Sequence, residues 1–278
     1  MTGLPSPARP LTSAANPRIK EAVRLRDRRY REASGLTIVD GARELRRALE
    51  AGVEVVEAFV CEPLLAGPDA RAILDSLEGG SAPVHTTGDA AFGRLAFGHR
   101  AEGIVAVVRT PAVALDRIAL GPDPLVLVLE AVEKPGNLGA IVRTADGAGA
   151  DAVIAAAART DLFNPNAIRA SAGTIFAMAL AAGTSDEVLA WTRAQKLRVV
   201  AARVDGSRAY TDADLRGPLA IVLGAEAGGL SDVWQGTGIE VVRVPMYGVA
   251  DSLNVSVTAA ILTYESRRQR ERHGQEGD

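Results

Sequence analysis

The 278-residue sequence contains a single cysteine, Cys61, and only three histidines. One cysteine cannot form an intrachain disulfide or a cysteine-based zinc site, and the histidines lack the spacing of metal ligands. No segment approaches the roughly 20 consecutive apolar residues that a membrane-spanning helix needs, and the first residues contain no apolar run of the kind found in secretory signals. These absences predict a cytoplasmic protein without a metal cofactor and without a membrane partner.

Aromatic residues are also scarce, at 4% of the chain, and lysine occurs only three times. Hydrophobic residues nevertheless make up 47% of the sequence, with many Ala, Val and Gly. A chain of this length and composition can bury a substantial core. The small side chains favour closely packed layers of helices and sheets, and therefore an α/β fold.

The net charge of −3 does not by itself indicate a polyanionic partner, but the charge is unevenly distributed. Residues 1–50 carry eleven Arg or Lys against six Asp or Glu, and the excess lies between Arg18 and Arg31. A basic patch at one end of an acidic protein is typical of a nucleic-acid surface, although a solvated helix face gives the same pattern. The residues that we expect to contact RNA there are Arg18, Lys20, Arg24, Arg26, Arg28 and Arg29.

A turn-rich segment, residues 111–124, divides the chain into two predicted domains. Residues 1–15 are rich in Pro, Ser and Ala and predict a flexible N-terminus, and residues 16–110 predict a small α/β domain. In residues 125–278 short apolar runs alternate with helical segments, which is typical of a parallel sheet covered by helices. The predicted strands of this domain are Leu125–Leu129, Ala152–Ile154, Val199–Ala202, Leu219–Leu223 and Glu240–Val244, and a long helix starting near Ser252 closes the chain.

Three glycine-bearing loops adjoin predicted strands of the second domain, at residues 133–139, 224–229 and 245–254. Parallel sheets bind ligands at the carboxyl ends of their strands, and glycine lets the backbone approach a ligand closely. No GxGxxG follows a strand and no GxxxxGK[ST] is present, which disfavours a nicotinamide enzyme and a P-loop NTPase. Each loop alone could be a simple tight turn, but the three together indicate a binding site.

Polar side chains interrupt these apolar surroundings at Asn137, Arg143, Glu226, Ser252 and Asn254. If a helix opens at Gly139, Arg143 lies one turn inside it, on the face that carries the glycine. Ser252 could instead be the N-cap of the last helix, and Asn254 could satisfy the same helix end.

These residues lie in four segments that resemble motifs of the SpoU (TrmH-like) branch of the SPOUT RNA methyltransferases. The segments are residues 137–146 (like NxGxxxRTA), 168–176 (like RASxGxxF), 221–230 (like LGxExxGL) and 244–257 (like IPM…SLNVSVA). They occur in the family's order and spacing and cover most of residues 125–265. Residues 16–49 and the strand at 103–107 more loosely resemble the ribosomal-protein-like RNA-binding domain of many members. Lys134 and residues 161–166 depart from the commoner family pattern, which bears on the substrate rather than on the reaction.

The resemblance implies a C-terminal domain with a deep trefoil knot, a rare exception to unknotted chains, in which S-adenosylmethionine binds without a metal. It further implies a homodimer that methylates a ribose 2′-oxygen, and the two-domain layout favours large-subunit ribosomal RNA, with antibiotic resistance as one consequence. The catalytic residues carried over are Arg143, Asn137, Glu226, Ser252 and Asn254. The cofactor-binding residues are Leu223, Gly224, Glu226, Gly229, Val244, Met246, Ser252, Leu253 and Asn254, and Arg169 joins the RNA-binding residues.

Arginine is a poor proton acceptor because its side chain is a very weak acid and keeps its proton under ordinary conditions. We therefore expect Arg143 to act as a cation that stabilises developing negative charge. The alternatives left open are a tRNA 2′-O-methyltransferase, a non-catalytic RNA-binding protein with the same fold and, from another class, a nicotinamide oxidoreductase.

Overall fold

The computed structural model describes residues 10–65, 67–96, 102–225 and 228–275. The chain forms two compact units, one made of residues up to Pro111 with Phe163–Ala177, the other of Ala112–Leu162 with residues from Met178 onward. The segment 163–177, which the sequence analysis placed in the second domain, thus packs with the first unit. It is held there by hydrogen bonds: the Thr37 hydroxyl donates to the carbonyl of Phe163 at 2.8 Å.

The first unit is built from alternating helices and strands. In chain order they are α1 (Pro17–Arg24), α2 (Arg28–Ser34), β1 (Leu36–Asp40), α3 (Ala42–Glu50), β2 (Val55–Val60), α4 (Gly67–Glu78), β3 (Val84–Thr86), α5 (Asp89–Leu95) and β4 (Ile104–Arg109). Helix α1 begins as predicted, because the Asn16 side chain accepts a hydrogen bond from the backbone N–H of Arg18 and Pro17 occupies the first turn. The strand order is β1-β4-β2-β3, with β4 antiparallel to both neighbours.

The remaining elements follow a β-α alternation. They are β5 (Leu125–Glu130), α6 (Pro135–Gly147), β6 (Ala152–Ala156), α7 (Pro165–Ala170), β7 (Ala179–Gly183), α8 (Ser185–Ala194), β8 (Arg198–Ala202), β9 (Arg208–Ala209), β10 (Leu219–Leu223), β11 (Ile239–Arg243) and α9 (Val255–Gln275). All of these except α7 belong to the second unit.

The strands of the second unit form one parallel sheet in the order β7-β6-β5-β10-β8-β11-β9. Every residue of β5, β6 and β10 is buried, as expected of strands covered on both faces. This confirms the predicted α/β class with a parallel sheet, while the trefoil knot stays a prediction. Among the described residues, no helix has the length and apolar character needed to cross a membrane.

Two helices of this unit begin at other residues than the sequence analysis predicted. Helix α6 begins at Pro135, so Gly139 lies inside the helix and Arg143 is two turns in rather than one. Proline at the first turn supplies the helical φ at no cost in hydrogen bonds. Helix α9 begins at Val255, three residues after the predicted start near Ser252.

Candidate active site

A cavity of about 690 Å³ lies at the carboxyl ends of β8, β10 and β11, where the loops that follow these strands converge. Seven of the residues that we predicted to bind a cofactor line it: Leu223, Gly224, Gly229, Val244, Met246, Ser252 and Leu253. These residues lie in two different loops and are up to 30 positions apart, and they meet here because parallel strands end at the same edge of a sheet. Glu226, the remaining predicted residue of the β10 loop, lies outside the described residues.

At Gly224 the wall of this cavity is formed by backbone. A Cβ atom at Gly224 would lie 2.3 Å from the carbonyl carbon of Gly229 and 2.6 Å from the nitrogen of Leu230, so no side chain fits there. The N–H of Gly229 donates to the carbonyl of Ala225 at 2.9 Å and closes the turn. Gly224 is therefore required by close approach of two backbone segments rather than by its own φ.

The loop after β8 also lines the cavity and was missed by the sequence analysis. Arg203 and Asp205 form an ion pair at 2.9 Å, and the hydrogen bond from Arg203 lowers the pKa of the Asp205 carboxyl. Arg203 also donates to the carbonyl of Leu230 at 3.4 Å, which links two loops of the cavity. The sequence could have indicated this loop, because it follows the predicted strand Val199–Ala202. The carboxyl end of a parallel strand lies at the same edge of the sheet as the glycine loops.

Two of the predicted catalytic residues meet beside this cavity. The amide nitrogen of Asn254 lies 3.3 Å from the side-chain oxygen of Asn137 on α6. Asn254 also caps α9, because its side-chain oxygen accepts from the backbone N–H of Ser256 at 2.8 Å and from the Ser256 hydroxyl at 2.6 Å. The helix cap is therefore Asn254 and not Ser252. Its neighbours Leu253 and Val255 line the cavity, and the assignment of Asn254 as a cofactor ligand stays a prediction.

Arg143 lies on the exposed side of α6. It shares that side of the helix with Gly136 and Ala140, which lie seven and three residues earlier. Within the described ranges its guanidinium makes no hydrogen bond or ion pair to the protein. The structure thus joins Asn137 to Asn254 but leaves Arg143 available to a ligand.

A buried carboxylate that the sequence analysis did not single out fixes the end of the β10 loop. Glu130, the last residue of β5, is 4% exposed. It accepts hydrogen bonds from the backbone N–H and the hydroxyl of Ser231, both at 2.7 Å, and from the hydroxyl of Ser185. Burial opposes ionisation of this carboxyl, but the hydrogen bonds outweigh it and the pKa of Glu130 is lowered. The feature of the sequence that could have indicated this buried carboxylate is an acidic residue at the end of an otherwise apolar strand.

Two arginines of the basic segment 18–31, which we predicted to bind RNA, make hydrogen bonds to the backbone of the first unit. Arg31 is buried and donates to the carbonyl of Leu25. Arg26 donates to the carbonyls of Arg94 and Ala96, both at 2.9 Å, so it ties α5 to the loop before α2. These hydrogen bonds give Arg26 a role in packing this unit, and its assignment to RNA binding stays a prediction.

Other predicted RNA-binding arginines have acidic partners. Arg18, Arg24 and Arg28 pair with Glu57, Glu21 and Glu32, and Arg169 lies 3.5 Å from the buried Asp40. Among the described residues, Lys20 and Arg29 are exposed and have no protein partner for their charge. Glu21 and Glu32 lie within four residues of their partners, whereas Glu57 and Asp40 are distant in sequence and could not be anticipated from local spacing.

We expect Glu130→Ala to lower the free energy of unfolding of the second unit by about 2–3 kcal/mol, because it leaves the N–H of Ser231 without a partner. Glu130→Gln should cost less, since its amide can accept from that N–H and donate to the two hydroxyls. Urea unfolding followed by tryptophan fluorescence measures this, as Trp191 and Trp234 both lie in the second unit.

The same experiment carried out against pH checks the charge of Glu130. Because its pKa is lower in the folded protein than the ordinary value of 4.5, the stabilisation is present above pH 4.5 and is lost as the pH falls below it. Glu130→Gln should reduce that loss. Equal stabilities of the Ala and Gln variants at neutral pH would contradict the role assigned to these hydrogen bonds.

Comparison with known proteins agrees with the motif resemblance. Residues 124–264 match the model of the SpoU rRNA Methylase family. Residues 16–106 match a model described as the MRM3-like substrate binding domain.

Individual relatives cover one or both parts. A 23S rRNA (uridine(2479)-2′-O)-methyltransferase of Streptomyces viridochromogenes is 35% identical over 173 residues, and the match spans 60% of each protein. The 23S rRNA (guanosine-2′-O-)-methyltransferase RlmB of Bordetella pertussis is 34% identical over 213 residues, which is 72% of this chain and 84% of that protein. The crystal structure of the SpoU methyltransferase AviRb from Streptomyces viridochromogenes with AdoMet has a TM-score of 0.83 and 29% identity, covering 91% and 98% of the two chains.

The family match extends over half of the chain and includes the loops that form the cavity. On these grounds the chain belongs to the SpoU rRNA methylase family.

Proposed function

We propose that this protein transfers a methyl group from S-adenosylmethionine to a ribose 2′-oxygen of large-subunit ribosomal RNA, acting in the cytoplasm. The observation that carries the proposal is the cavity folded from backbone turns at the carboxyl ends of β8, β10 and β11, with the Asn137–Asn254 contact beside it. The family membership and the 23S rRNA activity named for the relatives support it.

The cavity fits the proposed cofactor in size and in surface. Its volume of about 690 Å³ is within the range of small-molecule sites. The wall at Gly224 is bare backbone, which a Cβ would disrupt. Backbone groups around Leu223, Gly224, Val244, Met246 and Leu253 would hold the adenosine and methionine parts, with Ser252 and Gly229 on the same surface. When bound, S-adenosylmethionine supplies a methyl group on a positively charged sulfur.

The protein's own task is to position the ribose and to stabilise negative charge on its oxygen. Arg143 is suited to the second role because an arginine side chain carries a positive charge with several N–H donors, and this one has no protein partner in the described ranges. It would bind a phosphate or the 2′-oxygen and act electrostatically. Asn137, held by Asn254, would orient the nucleotide, and Glu226 and Ser252 complete the proposed set.

A homodimer is the second part of the proposal. Val257 and Tyr264 are seven residues apart on α9, and therefore on one face, and they are 46% and 51% exposed. Ile261 lies between them on the same face and is partly exposed. An apolar stripe of this kind is commonly covered by another copy of the chain. We infer that α9 contributes to such an interface next to α6, which packs against it.

Methyl transfer to 23S rRNA, measured with tritiated S-adenosylmethionine, tests the reaction and the role of Arg143. We expect Arg143→Ala to reduce the single-turnover rate by a factor of about 10²–10³, since it removes one electrostatic stabiliser of the transition state. Its affinity for S-adenosylmethionine, measured by calorimetry, should be unchanged. Arg117→Ala removes an exposed arginine elsewhere in the same unit and serves as the control. Full activity of Arg143→Ala would remove this residue from the mechanism, and absence of transfer by the unaltered protein would overturn the proposed reaction.

Sedimentation velocity tests the dimer. The unaltered protein should sediment as a dimer, and Val257→Asp with Tyr264→Asp should shift it to the monomer because two charges cannot be buried unpaired. Thr211→Asp adds a charge at an exposed position off α9 and should leave the dimer intact. A monomeric unaltered protein contradicts this part of the proposal.

The salt dependence of RNA binding tests the first unit. Lys20→Ala with Arg29→Ala should lower the slope of log K against log salt by about 1.4, at about 0.7 for each charge on single-stranded RNA. Arg46→Ala with Arg71→Ala removes two other exposed charges of this unit and should leave the slope unchanged. Equal slopes for all three proteins would show that Lys20 and Arg29 do not contact RNA.

A further inference from the structure

A second cavity lies at the carboxyl edge of the same sheet, with a volume of about 650 Å³. It is bordered by the loops that follow β5 and β6, by the first turn of α8 and by Ala225, Gly228 and Gly229 after β10. The same three residues also line the first cavity. The two cavities are therefore neighbours, and a ligand in the second cavity would lie next to the cofactor.

The two strands that end at this cavity turn away sharply. Ala131 and Ala157, directly after β5 and β6, have φ values of 53° and 47°, which non-glycine residues rarely adopt. Each is held by its N–H: Ala131 donates to the carbonyl of Ala156 at 2.9 Å and Ala157 to that of Gly183 at 2.8 Å. These turns keep the loops apart and leave room of about the size of a small-molecule site between them.

The charges around the cavity select what can enter it. Glu133 pairs with Arg159 at 2.6 Å, and Glu130 is occupied by Ser185 and Ser231. Asp186, in the first turn of α8, is exposed and has no protein partner among the described residues. Ionised carboxylates only accept hydrogen bonds. A phosphate would meet more carboxylate than guanidinium charge, so the cavity favours a ligand that presents N–H donors.

Among the groups that RNA offers, the guanine base matches this arrangement. Its N1–H and 2-amino group are adjacent donors that can face one carboxylate, and its O6 is an acceptor suited to arginine. Uracil would bring two carbonyl oxygens against the carboxylates. Unpaired bases are commonly read on their Watson–Crick edge in protein pockets.

We propose that the second cavity binds a guanine base of the RNA substrate, with Asp186 accepting from N1–H and the 2-amino group and Arg159 donating to O6. The inference rests on the proposed function, since the base belongs to the RNA that is methylated beside the cofactor cavity. It makes Asp186 a specificity-determining residue and favours guanosine over uridine at this position.

Methyl NMR of the full chain, labelled at alanine methyl groups, tests the site directly. S-adenosylhomocysteine is added first to saturate the cofactor cavity, and guanosine or uridine 5′-monophosphate is then titrated. The signals of Ala131 and Ala157 are assigned from Ala131→Gly and Ala157→Gly, and Ala202 reports the cofactor cavity. We expect guanosine monophosphate to shift the Ala131 and Ala157 signals with saturation at concentrations at which uridine monophosphate does not.

Asp186→Asn should weaken guanosine monophosphate binding at least tenfold, because an amide cannot accept from both donors. Asp69→Asn, which changes an exposed aspartate in the first turn of α4, is the matched control and should bind normally. Equal shifts with both nucleotides, no shift with either, or full binding by Asp186→Asn would overturn the inference. The titration with S-adenosylhomocysteine keeps the two proposals apart: if that ligand fails to shift Ala202, it is the proposed function that fails.

Discussion

The backbone contact between Gly224 and the 229–230 peptide determines the shape of the functional edge of the second unit. With no Cβ at Gly224, the chain leaving β10 folds back on itself and is closed by the hydrogen bond from Gly229 to Ala225. Ala225, Gly228 and Gly229 consequently line a cavity on each side. A wall made of backbone presents fixed N–H and C=O groups, whose positions do not depend on rotamers, and this suits a site that must hold a ligand in one orientation.

Such a turn needs to be held from outside, and the buried carboxylate of Glu130 does so. Its hydrogen bonds to the N–H and hydroxyl of Ser231 attach the chain after the turn to the end of β5. A carboxylate is a strong acceptor at a buried position only if its hydrogen bonds exceed the cost of desolvation. The lowered pKa of Glu130 shows that they do, so the carboxylate stays ionised and the attachment persists across the neutral pH range.

The sequence allowed the prediction of features that depend on local patterns. Apolar runs such as Leu219–Leu223 predicted the strands of the sheet, and the glycine loops after these strands predicted most of the residues that line the cavity. Features that depend on partners distant in sequence were missed. Arg26 lies in a basic segment typical of RNA contacts, but it donates hydrogen bonds to backbone carbonyls about 70 residues away. The burial of Glu130 is understood only from its hydrogen bonds to Ser231, which is about 100 residues away in sequence. Helix starts were shifted because Pro135 favours the first turn over Gly139, and because Asn254, although no better a cap than serine, is the residue whose side chain accepts from the N–H of Ser256.

The exposed position of Arg143 bears on how the proposed reaction can work. Two unit charges 4 Å apart interact by about 1 kcal/mol in bulk water and by about 4 kcal/mol at the effective dielectric constant of about 20 that is typical near a protein surface. On the open face of α6 the guanidinium is therefore a weak stabiliser of an oxyanion. Its contribution becomes large only when RNA, or a second copy of the chain packed beside α6, removes the surrounding water. The rate enhancement that we propose for Arg143 thus depends on assembly of the complex, which reconciles the proposed role with the solvated position of this residue in the free chain.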